Sequence, residues 1–133
     1  MGMNKVLSIL FVLAVFAPAA FARDLIEDQK IDFLINSVAE MHDATFIRNG
    51  SEYDAQHAAD HMRLKLRIAG NKVKTAEDFI FCCGTGSSMS GQPYAIKLAD
   101  GRIVPSADFL HAKLIEFRAP EPPTVPKAEA PAN

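Results

Sequence analysis

The sequence predicts a small single α+β domain of about four helices with a β-hairpin, and a third short strand at Thr45-Phe46-Ile47. Three observations carry this. Apolar residues recur at helical spacing in separate segments, and an Asp-Gly pair stands between two short β-prone runs. Setting both ends aside leaves Asp24 to Arg118, about 95 residues, which is one domain with one core.

From Leu25 to Met41 the apolar residues Ile31, Leu34, Ile35 and Val38 fall at helical intervals, so one stripe of this first helix faces inward. "ATFI", Ala44 to Ile47, is too short for a helix and reads as extended. Arg48-Asn49-Gly50 is turn chemistry. Ser51 is expected to cap a second helix, with Asp54 three residues on in capping-box position, running to about Ala69 and stopped by Gly70. Thr75 caps a third, short helix, "AEDFIFCC", again with an acid, Asp78, three residues later. After the loop "GTGSSMSGQP", the segments "YAIKL", "ADGR" and "IVP" read as a hairpin turning at Asp100-Gly101. Ser106 is expected to cap the last helix, whose Phe109, Leu110, Leu114 and Phe117 form a further inward stripe. No internal repeat is present.

The ends have a different character. Residues 1–22 combine one cation, Lys5, an apolar run from Val6 to Phe16, and the small-residue site Ala20-Phe21-Ala22. The apolar run is shorter than the ~20 residues that span a bilayer, so a signal peptide cleaved after Ala22 is expected, and with it a periplasmic or secreted protein. Residues 119–133 hold five of the eight prolines and read as a disordered tail, leaving 23–118 as the folded domain. The mature chain then has 13 basic and 16 acidic residues. That balance offers no basic face for nucleic acid and no attraction to anionic lipid, so neither nucleic-acid binding nor stable membrane insertion is expected.

Chemistry is concentrated in the second helix. Projected at ~100° per residue, its solvated face carries Glu52, Tyr53, Gln56, Asp60, Arg63 and Arg67. The other side carries Ala55, Ala58, Ala59, Met62, Leu64, Leu66 and Ile68, and among them stand His57, His61 and Lys65. A histidine and a lysine on a core-facing side admit three readings. They can be satisfied structurally, with Lys65 carrying its ammonium out to a carboxylate or carbonyl. They can converge with the serine loop on a pocket for a polar ligand. Or His57 and His61 can begin a metal site, for which no third ligand is apparent. The loop itself precedes a strand rather than a helix, which argues against phosphate binding, and its serines suit a turn network. Cys82 and Cys83 are adjacent, and their ~3.8 Å Cα spacing is too short for an easy disulfide, so one buried and one partly exposed thiol are expected.

The ordered segments "TFIRNGSEYDAQHAADHMRLKL", "TAEDFI", "SSMSGQPY", the Asp-Gly hairpin and the final "FL…L…FR" resemble a family of small exported bacterial proteins of unknown function. The resemblance spans Asp24 to Arg118 and places Phe46, Arg48, Asn49, Gly50, His61, Lys65, Phe79, Ser87, Ser88, Ser90, Gly91 and Tyr94 at motif positions. Cys82 and Cys83 lie outside that pattern, and Phe109 stands where tryptophan is usual. It implies an exported single domain and carries over no catalytic or ligand residues.

The expectation is therefore a non-enzymatic binding or interaction module, without cofactor or metal, acting on an unknown protein or small polar ligand of the envelope. Arg48, Asn49, His61, Lys65, Ser87, Ser88, Ser90 and Tyr94 form the candidate patch. The rival is a cell-envelope hydrolase using a serine of the 87–90 loop with His61.

Overall fold

The computed structural model describes residues 23–119. The expected signal peptide at 1–22 lies outside the described residues, as does the expected tail at 119–133 apart from Ala119. In chain order the elements are α1 (Leu25–Ala39), β1 (Thr45–Arg48), β2 (Ser51–Tyr53), α2 (Ala55–Ala69), α3 (Ala76–Phe79), β3 (Ala95–Lys97), β4 (Ile103–Pro105) and α4 (Ser106–Glu116). The class is α+β as predicted, and the strands form one antiparallel sheet in the order β2-β1-β3-β4. It holds one strand more than the hairpin and Thr45–Ile47 segment provide.

Helix α1 forms where its periodicity places it. Asp24 caps it by accepting the Ile26 N–H at 3.1 Å, and Ile31, Leu34, Ile35 and Val38 are all buried. Each such aliphatic side chain contributes about 1.5–3 kcal/mol on leaving water.

The extra strand is β2, and it corrects the start of α2. Asn49 and Gly50 both have positive φ, 50° and 76°, which suits the two-residue turn that returns a strand antiparallel on itself. The chain therefore pairs Ser51 with Arg48, Glu52 with Ile47 and Tyr53 with Phe46 before any helix begins. Ser51 is a strand residue; Asp54 is the cap, accepting the His57 N–H at 2.8 Å.

The inward side of α2 is also narrower than expected. Ala55, Ala59 and Met62 are buried, whereas Leu64 and Ile68 are exposed at 44% and 76%. At ~100° per residue the buried stripe centres between Ala55 and Met62, which puts Leu64 on the opposite side. His61 and Lys65 then lie on the flank of the stripe, both partly buried, and His57 is exposed.

Thr75 caps α3 through the expected capping box: its hydroxyl accepts from Asp78 N–H, and Asp78 accepts from Thr75 N–H, both at 3.1 Å. The helix then widens into a π-helical turn, Ile80–Gly84. Gly84 lies under α4, where a Cβ would collide with the Leu110 side chain, so any larger residue forces that buried leucine to shift. Cys83 is buried and Cys82 partly buried, both as free thiols; burial pushes the Cys83 thiol up to about 11.

Helix α4 buries Leu110 completely and packs Phe109 and Leu114 against the core, with Phe117 edge-on to Phe33 at 5.6 Å. Its start departs from expectation. Ser106 is the first helical residue, and its side chain caps nothing. Its N–H instead donates to Tyr94 O at 2.9 Å, continuing the β3–β4 ladder, and this turns the side chain inward. Among the described residues no helix is long and apolar enough to cross a membrane.

Candidate functional site

Strand alternation builds the site. The registers Phe46↔Tyr53, Phe46↔Ile96 and Ile96↔Val104 align one row of side chains across the four strands, and Phe46 and Ile96 in it are buried. Side chains two residues along a strand share a face. One inward step further, the same registers set Arg48 opposite Tyr94 and Tyr94 opposite Ser106. An apolar row is thus followed by a polar one, and α2 lies across both.

Between this end of the sheet and α2 is a cavity of about 190 Å³. Phe46, Ile47, Ala58, Met62 and Ala95 give it an apolar body, while Arg48, Tyr53, His57, His61, Tyr94 and Ser106 supply polar groups. Ser106 is 1% exposed, and its hydroxyl has no hydrogen-bond partner among the described residues. A buried unpartnered hydroxyl costs roughly 1–3 kcal/mol, so its place in the cavity wall is informative.

His61 is held by the two strands. Arg48 Nη1 lies 2.8 Å from its Nδ1 and 3.0 Å from its Nε2, and Tyr94 Oη lies 3.2 Å from Nε2. Arginine only donates. One ring nitrogen of the neutral imidazole therefore accepts from Arg48; with Nδ1, the nearer, in that role, Nε2–H donates to Tyr94. Burial, then the Arg48 and Lys65 cations, hold the His61 pKa below its ordinary 6.5, which favours the neutral imidazole. Arg48 Nη2 also donates to Tyr53 Oη at 3.1 Å, and that bond lowers the Tyr53 pKa.

Lys65 closes the network. Its ammonium donates to Gly86 O at 2.8 Å and to Tyr94 Oη at 3.2 Å. Of the two outcomes expected for this lysine, carboxylate or carbonyl, the carbonyl is found. Gly86 is placed by its bridge to Pro93, where a Cβ would meet Gln92 O at 2.9 Å. Tyr94 Oη thus accepts from Lys65, and with His61 Nε2 protonated it accepts from His61 as well and keeps its own O–H proton free of any acceptor among the described residues.

The candidate patch accordingly divides in two. Arg48, His61, Lys65 and Tyr94 make one network. Asn49, Ser87 and Ser90 make another at the hairpin tip: Asn49 Nδ2 donates to Ser87 Oγ at 3.3 Å, and Ser90 Oγ donates to Asn49 Oδ1 at 2.5 Å. Ser87 Oγ also accepts the Met89 and Ser90 N–H groups, which is the turn network its sequence suits. Ser88 is exposed. His61 bonds Arg48 and Tyr94, and none of these serines, among the described residues. His57 pairs with Asp54 at 2.7 Å, and among the described residues no three His, Cys, Asp or Glu side chains are grouped to hold a metal.

Sequence reasoning missed Ser106 and Tyr53 as site residues. The expected two-residue turn at Asp100-Gly101 would set Tyr94 opposite Ala107; the observed loop spans residues 99–101 and closes on Leu98 and Arg102, and that one-residue shift brings Ser106 opposite Tyr94.

The chain belongs to a family of unknown function, DUF5329, whose model matches residues 26–118. It is 35% identical over 92 residues to the uncharacterized protein YfeK of Salmonella typhimurium (strain LT2), an alignment covering 69% of this chain and 77% of that protein. No solved structure matches it.

Proposed function

We propose that the protein is exported to the periplasm and acts there as a small non-enzymatic binding module, with the cavity between α2 and the sheet as its site. The observation that carries this reading is the buried, unpartnered hydroxyl of Ser106 in the wall of a cavity with an apolar body and a polar edge. A polar group is tolerated in such surroundings when something bonds it, and a bound small molecule would do so. Arg48, His61 and Tyr94 supply the fixed polar edge of the site, with Lys65 bonded to Tyr94 outside the lining, and Asn49, Ser87 and Ser90 bond one another outside it as well.

Toluene, uncharged and compact, is the probe of binding. Saturable chemical-shift changes at the amides of Phe46, Ala58, Met62 and Ala95 are expected, and Ala58→Phe, which fills the cavity, abolishes them. Their absence in the unmodified protein would remove the reading. Export is checked separately by N-terminal sequencing of the protein from osmotic-shock fluid, where Arg23 is expected as the first residue.

A further inference from the structure

The ligand class follows from the charges at this site, and the inference rests on the cavity being a binding site. Arg48 carries a permanent positive charge, is partly buried, and spends its hydrogen bonds on neutral partners, His61 and Tyr53. Neither Arg48 nor Lys65 has a carboxylate within ion-pair distance among the described residues. A charge withdrawn from water without a counter-charge is costly, so the cavity is electrostatically incomplete at Arg48.

Arg48 alone supplies a permanent cation to the lining; the Lys65 ammonium is outside it, committed to Gly86 and Tyr94. One lining cation suits a monoanion. Hydrogen-bond capacity specifies it further. Guanidinium has five N–H donors; one goes to His61 and one to Tyr53, which leaves three. The Ser106 hydroxyl is uncommitted, and with His61 Nε2 protonated so is the Tyr94 O–H proton. A carboxylate has about four acceptor sites and accepts bidentate arginine. Two bonds from Arg48, one from Tyr94 and one from Ser106 would fill them, all from adjacent positions of one row of the sheet. Size limits the remainder: an apolar cavity of ~150 Å³ takes benzene, so one of about 190 Å³ takes a ring or branched chain of similar size and a small head group.

We propose that the cavity takes a small free monocarboxylic acid with a compact apolar body, its carboxylate held by Arg48, Tyr94 and Ser106 and its body lying against Phe46, Ala58, Met62 and Ala95.

Benzoate, benzyl alcohol and benzylamine share one shape and differ in head-group charge. Calorimetric titration of the mature chain should give benzoate at least tenfold tighter binding than benzyl alcohol, and none for benzylamine. Arg48→Gln should bring benzoate down to the level of the alcohol, and Ser106→Ala should weaken it several-fold. Benzyl alcohol binding as tightly as benzoate would overturn the carboxylate assignment while leaving the cavity as a binding site. No binding by toluene, benzyl alcohol or benzoate would overturn both. Hippurate, which adds a peptide bond before the carboxylate, stands for a peptide C-terminus; its binding more tightly than benzoate would overturn the free acid. The three-ligand comparison on the unmodified protein decides the matter even where a variant fails to fold.

Discussion

Helices α1 and α2 are both fifteen residues long and both lie against the core, yet they use their inward sides differently. α1 buries four aliphatic residues, Ile31, Leu34, Ile35 and Val38, in one stripe. α2 buries two alanines and a methionine, and flanks them with His61 and Lys65. Large apolar side chains fill the space they face. Small ones bring the backbone close to the sheet without filling the flank, and there the cavity opens. The first helix is built for stability, the second for keeping polar groups at a fixed place beside an apolar space.

The largest effect belongs to α1. Leu34→Ala should lower unfolding free energy by about 2–5 kcal/mol, because a fully buried leucine leaves a cavity that its neighbours only partly close. Urea unfolding with an unchanged m-value would record it, and a loss below 1 kcal/mol would show that α1 is not the main support.

The start of α2 gives a smaller effect. Asp54→Ala should cost ~1 kcal/mol through loss of the N-cap, whereas Ser51→Ala, in an exposed strand position, should stay within about 0.5 kcal/mol. Denaturation of the two variants side by side tests the assignment of the cap, and a larger loss at Ser51 would reverse it.

The smallest effect is a pH dependence belonging to α2. His61 has a lowered pKa in the fold, so below 6.5 the unfolded chain binds its proton more readily than the folded protein does. Its contribution to stability is whole above 6.5 and is lost as pH falls through that value toward the folded pKa. The lowered pKa values of Glu27, Asp54, Asp78 and Asp100 act separately. Their contribution is present above the unfolded values, 4.5 for glutamate and 3.8 for aspartate, and is lost as pH falls toward the lower folded ones. Melting temperatures should therefore fall with pH between 6.5 and 4.5, and His61→Gln should flatten that interval while leaving the acid limb intact. An unchanged slope in the variant would exclude His61 as its source.

Much of the local structure was legible because it depends on neighbours in sequence. The stripe of α1, the capping box at Thr75, the stop at Gly70 and the turn at Asp100-Gly101 each need only residues a few positions apart. The hairpin at Asn49-Gly50 was equally local, but Ser51 followed by Asp54 also fits a helix start. Strand pairing with β1 prevailed, since a turn with two positive φ values returns the chain to its own strand before a helix can begin. The width of the buried stripe on α2 was not legible, because an alanine-rich helix face does not say how far its partners extend around it.

Arg48 and Tyr94 entered as motif positions of the family resemblance; by itself, the sequence determined the class of the domain, the positions of most helices, and that His61 and Lys65 were chemically out of the ordinary. These follow from periodicity and from polar residues in apolar surroundings. Only the tertiary structure decided that these four meet, that the serine loop bonds its own turn, and that Ser106 joins the cavity wall. The physical reason is that cross-strand register links residues far apart in the chain, and the packing of α2 over that register leaves the space between them.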